Sequence, residues 1–227
     1  MIADIDGEPQ WRCTGTLIAP RVFLTAGHCT GDGATAARVW FDTDLTDNDE
    51  YPYGGETSIE GTPIPHPEYF WGDADPHDVG LVILDEAVAV ELATLPSSDL
   101  LAQLKKDRVL EGGYEDGVFF RSVGYGGTLE SWPPPLLAYD KIRRVSESEY
   151  VALTKDTLHL SQKAVFEESG SCFGDSGGPI FWVGPEGNEI IVAVTSSGDA
   201  QCVATGLDYR VDVADVLEWI YSQFPDE

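Results

Sequence analysis

The residues best suited to do chemistry lie in the stretch Cys172-Phe173-Gly174-Asp175-Ser176-Gly177-Gly178-Pro179. A serine between glycines sits where the backbone can approach a reacting carbonyl closely and where positive φ angles are favoured. Because a hydroxyl is a weak nucleophile at neutral pH, Ser176 needs a base within hydrogen-bond reach and donors for the oxyanion that forms. The backbone N–H groups of Gly174 and Ser176 could supply those donors. Without a base and a carboxylate, the same stretch predicts only a turn.

The candidates for the base are the four histidines of the sequence, His28, His66, His77 and His159. His28 stands out because Leu24-Thr25-Ala26-Gly27-His28-Cys29 follows an apolar, strand-like run and ends in a cysteine that could fix the backbone beside the imidazole. A carboxylate buried against the imidazole would orient the ring. Asp78 fits this role because it lies at the mouth of the apolar strand predicted for residues 79–84.

Three blocks of the sequence resemble the chymotrypsin/trypsin-like serine proteases. They are Thr25-Ala-Gly-His-Cys29, Asp78-Val-Gly-Leu-Val82 and Gly174-Asp-Ser-Gly-Gly-Pro179, which follow the family's order at about its intervals. The resemblance implies an all-β fold of two six-stranded antiparallel Greek-key β-barrels with a C-terminal α-helix. It also implies that Ser176 is the nucleophile, His28 the general base and then acid, and Asp78 the orienting carboxylate. The expected reaction is hydrolysis of peptide bonds through an acyl-enzyme.

The length of the chain allows one large domain or two small half-domains, and the resemblance implies a single peptidase domain over residues 1–227. Short apolar strands separated by Gly, Pro and Asp clusters favour a pair of β-barrels. The half-barrels are expected at residues 1–110 and 117–211, with a short helix near residues 100–106 in the connection. Apolar residues at helical spacing from Val213 to Phe224 predict a closing helix within residues 212–224.

The charge balance limits the possible partners. The sequence has 40 acidic against 13 basic residues, a formal net charge of −27. Such a surface repels nucleic acid and anionic membranes, so neither is an expected partner. The resemblance implies a protein or peptide substrate, and the protein is expected to be a monomer. The surface also repels itself, which gives the hypothesis that salt stabilises the protein. A generic solubilising surface is the alternative.

Two features bear on localisation. No run of the sequence is long and apolar enough to span a bilayer. Residues 1–6 lack the basic start and apolar centre of a secretory signal, so either an export signal has been removed or the protein is not exported.

The four cysteines, Cys13, Cys29, Cys172 and Cys202, lack the paired spacing of a zinc site and can combine in three ways. The family resemblance selects Cys13–Cys29, beside the histidine loop, and Cys172–Cys202, beside the serine loop. Structural disulfides imply an oxidising compartment, so on this basis the protein is expected to be secreted.

The chain departs from the family before Cys13, because nothing there matches the Ile-Val-Gly-Gly type of terminus. In the family, that terminal amino group pairs with the aspartate before the serine, here Asp175, and holds the oxyanion loop in shape. The sequence lacks its N-terminal segment, or Asp175 finds another partner, or the molecule is zymogen-like. The alternative function is therefore an inactive homologue that acts as a binding or regulatory module, and an esterase using the same site is a third possibility.

No cofactor is predicted. The acidic stretch of residues 42–50 lies about where some relatives carry a calcium loop, yet it lacks the Gly and Glu of an EF-hand, so a solvated acidic loop is favoured over calcium binding. His66 lies in a segment that resembles the family's His-Pro-x-Tyr and is expected to be structural. His77 should point away from His28, because neighbouring strand residues face opposite sides. His159 is expected to be a satisfied strand or loop residue, and no two histidines have metal-site spacing.

The resemblance also assigns the substrate pocket. Its floor falls at Gly170, which offers no acid for a basic side chain, so cleavage after Arg or Lys is disfavoured. The wall positions predict an open, uncharged pocket for apolar or aromatic P1 side chains, with Asp199 near the rim. Ser196-Ser197-Gly198 resembles the edge that pairs with substrate backbone, with Ser197 in place of the usual tryptophan. The full set of expected substrate contacts is Gly170, Ser171, Phe173, Ser196, Ser197, Gly198 and Gly206.

Overall fold

The computed structural model of the chain describes residues 1–72, 75–113, 116, 118–131, 134, 136–163 and 168–224. Strands dominate this part of the chain, and none of its helices is long and apolar enough to cross a bilayer. The strands are β1 Ile2–Ile5, β2 Glu8–Arg12, β3 Thr16–Ala19, β4 Val22–Thr25, β5 Ala36–Val39, β6 Ile59–Pro65, β7 Gly80–Leu84, β8 Phe119–Gly124, β9 Thr128–Ser131, β10 Leu136–Ala138, β11 Arg144–Ser148, β12 Tyr150–Leu153, β13 Thr157–Ser161, β14 Pro179–Val183, β15 Glu189–Gly198 and β16 Thr205–Arg210. The helices are α1 Gly27–Thr30, α2 Leu100–Lys106 and α3 Ala214–Ser222, with a 3₁₀ turn at Val109–Glu111.

The first barrel is an antiparallel sheet in the order β2-β1-β5-β6-β7-β4-β3. Its two edge segments, β2 and β3, are separated along the chain only by residues 13–15, so they are the two ends of one bent strand that closes the sheet. Gly15 makes this bend possible, because a Cβ there would overlap the carbonyl oxygen of Leu24 and the ring of Phe23. Counted this way, the first barrel has six strands.

The second barrel is built in the same way. Its order is β11-β8-β14-β15-β16-β13-β12, and only Glu149 separates the edge segments β11 and β12. When each bent strand is counted once, both barrels have six strands. If these strands are numbered along the chain within each barrel, they follow one another in the same order around the two rings. The β9–β10 hairpin lies outside this ring. The predicted all-β fold with two six-stranded barrels is therefore confirmed.

The closing helix joins the two barrels. One cluster of buried side chains takes members from the first barrel, such as Leu81, from the second, such as Val194, and from α3, such as Ile220. Burying an aliphatic side chain of this size contributes roughly 1.5–3 kcal/mol, so the shared cluster holds the barrels in a fixed relation. The helix predicted from apolar spacing is present, and it buries Val216, Leu217, Trp219 and Ile220.

Candidate active site

A cleft of about 390 Å³ lies where the two barrels meet. The first barrel and its loops contribute His28, Asp32, Tyr69 and Trp71 to the lining. The second contributes Gln162, Ser171, Cys172, Phe173, Ser176, Thr195, Ser196, Ser197, Gly198, Asp199 and Cys202. The fold thus brings His28 and Ser176, which are far apart in sequence, to one cavity.

The strand pairing of the first barrel positions His28 and Asp78. β4 and β7 are antiparallel partners with Thr25 opposite Gly80, so the end of β4 lies beside the start of β7. Asp78 directly precedes β7, and His28 is the second residue of α1. The Nδ1 atom of His28 lies 3.0 Å from Oδ2 and 3.1 Å from Oδ1 of Asp78, and the backbone N–H of His28 donates to Oδ1 at 2.8 Å.

Asp78 is fully buried, and its carboxylate oxygens accept hydrogen bonds from two residues. Besides the imidazole and the backbone of His28, the hydroxyl of Ser196 donates to Oδ2 at 2.5 Å. A buried carboxylate needs such partners because its desolvation is otherwise costly. With Nδ1 engaged by Asp78, Nε2 is the nitrogen that His28 presents to the cleft.

The serine loop depends on two left-handed glycines. Gly174 has φ +97° and Gly177 φ +75°, and a Cβ at Gly177 would overlap the hydroxyl of Thr25. The loop bonds both barrels, because the N–H of Thr14 donates to the Ser176 carbonyl at 2.7 Å and the N–H of Gly177 donates to the Thr195 carbonyl at 2.7 Å. Among the described residues, the N–H groups of Gly174 and Ser176 have no acceptor. They are therefore available to an oxyanion.

Asp175 lies under the serine loop and has backbone partners. Its Oδ1 accepts the N–H of Gly126 at 2.7 Å, its Oδ2 accepts that of Cys172 at 2.9 Å, and the N–H of Tyr125 also bonds this carboxylate. Burial raises the pKa of Asp175 from 3.8 to about 6, while the backbone donors act in the opposite direction. Of the three explanations considered for Asp175, the structure therefore supplies another partner, in the form of peptide N–H groups.

Both disulfides implied by the resemblance are present, and the described residues include no free cysteine. Cys13–Cys29 links the end of β2 to α1, so it anchors the backbone beside His28. Cys172–Cys202 links the serine loop to the connection between β15 and β16. Each disulfide therefore restrains one of the two segments that meet at the cleft.

Five of the seven residues expected to contact substrate line the cleft, namely Ser171, Phe173, Ser196, Ser197 and Gly198. Gly170 and Gly206 are not among its lining residues. The reason is the side chain of Gln162, whose Oε1 would overlap a Cβ at Gly170 and lies 3.5 Å from the place of a Cβ at Gly206. The pocket expected to be open is therefore filled at its inner end by a buried amide.

Two carboxyl groups border this inner end. Asp199 accepts the N–H groups of Val203, Ala204 and Thr205, and although burial acts in the opposite direction, these donors lower its pKa. Asp208 is almost fully buried beneath the pocket, with Oδ2 3.7 Å from the place of a Cβ at Gly206. Burial raises the pKa of Asp208 well above its usual value, which favours the neutral carboxyl.

His66 and His77 lie next to each other. His77 precedes β7 and has φ +44°, so the strand alternation that was expected to turn it away from His28 does not apply to it. The rings of His66 and His77 stack with centroids 4.8 Å apart, and the ring of His66 also contacts Trp219. Ligating atoms of His66, Glu68 and His77 lie within 4.8 Å of one another, a cluster that sequence spacing does not predict because the fold assembles it. The Nδ1 atom of His66 accepts the backbone N–H of Glu68 at 3.2 Å, so this nitrogen already has a hydrogen-bond partner.

Sequence reasoning missed the aromatic wall of the cleft. Trp71 is 55% exposed, and its ring meets that of His28 edge-on at a centroid distance of 5.7 Å. Tyr69 lines the same side of the cleft. The available signal was the aromatic run from Tyr69 to Trp71, a few residues before the proposed carboxylate.

Two six-stranded antiparallel barrels of equal ring order, with a cleft at their junction, define the trypsin-like fold. The sequence model of the family described as Trypsin matches residues 2–220. The chain belongs to the trypsin family.

Individual relatives agree with this assignment. Serine protease 1 of Drosophila melanogaster is 29% identical over 223 residues, which are 94% of this chain and 76% of the relative. Lectizyme of Glossina austeni is 26% identical over 203 residues, covering 85% of this chain and 70% of the relative. A solved structure of HL collagenase superposes with a TM-score of 0.67 at 19% identity, covering 97% of this chain and 90% of its own, and it supports the fold alone.

Proposed function

We propose that this protein is a secreted serine endopeptidase that cleaves peptide bonds through Ser176, His28 and Asp78. The observation that carries the proposal is the buried Asp78 carboxylate bonded to Nδ1 of His28, in a cleft that Ser176 also lines. Membership of the trypsin family supports the reaction class. The two disulfides support secretion, because such bonds persist in oxidising compartments.

In the proposed mechanism, Nε2 of His28 takes the hydroxyl proton of Ser176 while the oxygen attacks the scissile carbonyl. The free N–H groups of Gly174 and Ser176 bind the oxyanion of the tetrahedral intermediate. His28 then donates the proton to the leaving amine, which departs and leaves an acyl-enzyme. Water enters and repeats the two steps to release the acid. No cofactor takes part in this mechanism.

The proposed role of Asp78 is positional and electrostatic. Its bond to Nδ1 keeps the proton of the neutral imidazole on that nitrogen, so Nε2 is free to act as the base. When His28 becomes an imidazolium, the buried carboxylate stabilises the charge. The hydroxyl of Ser196 donates to Oδ2, the oxygen that also lies 3.0 Å from Nδ1 of His28, and so helps to hold the carboxylate in place.

We further propose apolar P1 side chains of a protein or peptide substrate. The upper wall, formed by Ser171, Ser196 and Gly198, carries no charge, and the amide of Gln162 limits the depth. At the inner end, burial raises the pKa of Asp208 and favours its neutral carboxyl, whereas Asp199 is an ionised carboxylate whose oxygens accept the backbone N–H groups of residues 203–205. The backbone of residues 196–198 would pair with the substrate as an added strand, and a monomer suffices because every proposed site residue comes from one chain.

A fluorophosphonate probe tests this proposal. The protein should be labelled stoichiometrically, and Ser176→Ala should abolish labelling while Ser171→Ala, a serine of the same cleft, keeps it. Absence of labelling in the folded wild-type protein would favour the binding-module alternative. Turnover of simple esters without any turnover of peptide anilides would instead favour the esterase.

A further inference from the structure

The end of β2 lies directly against the serine loop. Thr14 donates its N–H to the Ser176 carbonyl at 2.7 Å and its hydroxyl to the Gly174 carbonyl at 2.9 Å. Two residues earlier, Cδ of Arg12 lies 3.4 Å from the place that a Cβ on Gly174 would take. Arg12 therefore borders the proposed oxyanion site from the first barrel, whereas the proposed P1 pocket is built from the second.

Two tyrosines restrain the guanidinium of Arg12. The Nε–H donates to the hydroxyl of Tyr51 at 3.1 Å, and the guanidinium carbon lies 5.9 Å from the ring centroids of both Tyr51 and Tyr139. The ammonium of Lys141 lies 5.3 Å from the Tyr51 ring, so one aromatic ring interacts with two cations. The Tyr139 ring comes 3.0 Å from the place of a Cβ at Gly127, whose N–H donates to the carbonyl of Phe173 in the serine loop.

Arg12 and Lys141 are neighbouring cations beside the serine loop. Within the described ranges they have no carboxylate within salt-bridge distance, which is also true of Arg21, Lys105, Lys106 and Arg143, whereas Arg38, Arg121, Arg144 and Arg210 each have one. Lys141 acts on Asp44 only at longer range. What distinguishes Arg12 and Lys141 is their position, because both lie on the Tyr51 ring and Arg12 contacts the serine loop at Gly174, so an anion brought by the substrate would meet two cations there.

We infer that Arg12 and Lys141 bind a carboxylate side chain of the substrate, in the first two residues on the leaving-group side of the scissile bond. The inference rests on the proposed function. If the acyl part of the substrate occupies the second-barrel side of Ser176, the leaving part must cross the first-barrel side, where Thr14 and Arg12 lie. A planar guanidinium held by aromatic rings is pre-organised for a carboxylate, which lowers the entropy lost on binding.

The inference predicts that peptides with an acidic residue on the leaving side are cleaved fastest, neutral peptides more slowly and basic peptides most slowly. Internally quenched peptides with one fixed acyl side carry Glu, Gln or Lys at the first or second leaving-side position. We expect kcat/KM to be about tenfold higher for Glu than for Lys at one of these positions, which corresponds to about 1.4 kcal/mol. Raising NaCl to about 0.5 M should reduce the ratio, because salt screens exposed charges.

Variants test which residues cause the preference. For each variant, kcat/KM for the Glu peptide is divided by kcat/KM for the Lys peptide, because a general loss of activity lowers both values and cancels in the ratio. Arg12→Gln should bring the ratio to below about threefold, Lys141→Gln should lower it less, and Arg12→Lys should restore most of it. Lys106→Gln, an exposed lysine on α2, is the matched control and should leave the ratio unchanged.

Each outcome separates the inference from the proposed function. Equal rates for Glu, Gln and Lys peptides in the wild-type protein, or an unchanged ratio in Arg12→Gln, would overturn the inference while leaving an active protease. If the wild-type protein neither hydrolyses a peptide anilide nor reacts with the fluorophosphonate probe, the proposed function fails instead.

Discussion

The two barrels share one strand order, yet they hold their parts of the candidate site by different means. In the first barrel, His28 and Asp78 lie at the ends of the paired strands β4 and β7, and their side chains bond each other. In the second, Ser176 lies on a loop between strands, and a buried carboxylate, Asp175, bonds the backbone around it. Strand pairing therefore positions His28, the proposed base, whereas one titratable side chain bonds the backbone around Ser176, the proposed nucleophile.

The difference shows which part of the site is fixed by the fold and which part also depends on a group that can titrate. Strand ends in a closed barrel move only if the barrel opens, so the geometry of His28 and Asp78 is fixed by the same contacts that fix the fold. The serine loop has two left-handed glycines and is held by the Cys172–Cys202 disulfide, by backbone bonds to both barrels and by Asp175, and of these restraints only Asp175 can titrate. Four predictions test this contrast, in order of decreasing effect.

The largest effect is expected in the first barrel. Asp78→Asn should lower kcat by about 10³–10⁴-fold, because an amide cannot keep the proton of the imidazole on Nδ1 and stabilise the imidazolium. Ser196→Ala, which removes one donor to the same carboxylate, should cost at most about tenfold. Kinetics on a peptide anilide measures both. Comparable losses in the two variants would contradict the distinct role given to Asp78.

In the second barrel, Asp175→Ala should lower kcat by about 10²–10³-fold, the size typical of a lost oxyanion donor. The substitution leaves the N–H groups of Gly126 and Cys172 buried without an acceptor, at about 1–3 kcal/mol each, so the loop should rearrange. Asp199→Ala is the matched control, because Asp199 also accepts backbone N–H groups but is partly exposed. Probe labelling that stays as fast in Asp175→Ala as in Asp199→Ala would remove the contrast between the barrels.

The contribution of Asp175 to the free energy of unfolding should depend on pH. The pKa of Asp175 is raised from 3.8 to about 6 by burial, so the folded state holds this proton more tightly than the unfolded state. The resulting stabilisation is fully present below about pH 4, falls as the pH rises to about 6, and amounts to about 3 kcal/mol over that interval. Urea unfolding of the wild type and of Asp175→Asn at several pH values measures it as the difference between their free energies of unfolding. A difference independent of pH would show that the carboxyl is not perturbed.

The smallest effect concerns the surface that both barrels share. With a formal net charge of −27, repulsion between carboxylates should be screened by salt. Raising NaCl from about 0.05 to 1 M should therefore raise Tm by about 2–4 °C, equivalent to about 1 kcal/mol for a domain of this size. A continuous fall of Tm with salt would contradict the hypothesis that saline conditions stabilise the protein.

Local motifs made much of this molecule predictable. The blocks around His28, Asp78 and Ser176 carry their chemistry in a few adjacent residues, and apolar spacing was sufficient to predict α3. The bent strands that close the barrels were not predicted, because closure depends on pairing between distant segments. Nothing in the pattern of residues 8–19 indicates that the segments on the two sides of residues 13–15 pair with opposite edges of one sheet.

The side chain at the inner end of the pocket could not be predicted from the sequence either, for the same reason. Gln162 follows β13, and only the register of β13 against β16, with Ser161 opposite Thr205, brings it beside Gly170 and Gly206. Nothing in the residues around Gln162 indicates a pocket. Asp208 was missed for a related reason, since its depth beneath the cleft follows from the pairing of β16 with β15.

The bend at residues 13–15 has a consequence for how the protein comes apart. Thr14 lies in the joint that seals the first barrel, and its peptide N–H is bonded to the carbonyl of Ser176 from the second. Opening the first barrel therefore disturbs the second at Ser176, the proposed nucleophile, so neither half expressed as a separate polypeptide should react with the fluorophosphonate probe. At low denaturant concentration, loss of the proposed activity should therefore coincide with loss of the β-structure of the first barrel, because the bend at residues 13–15 links that barrel to the serine loop.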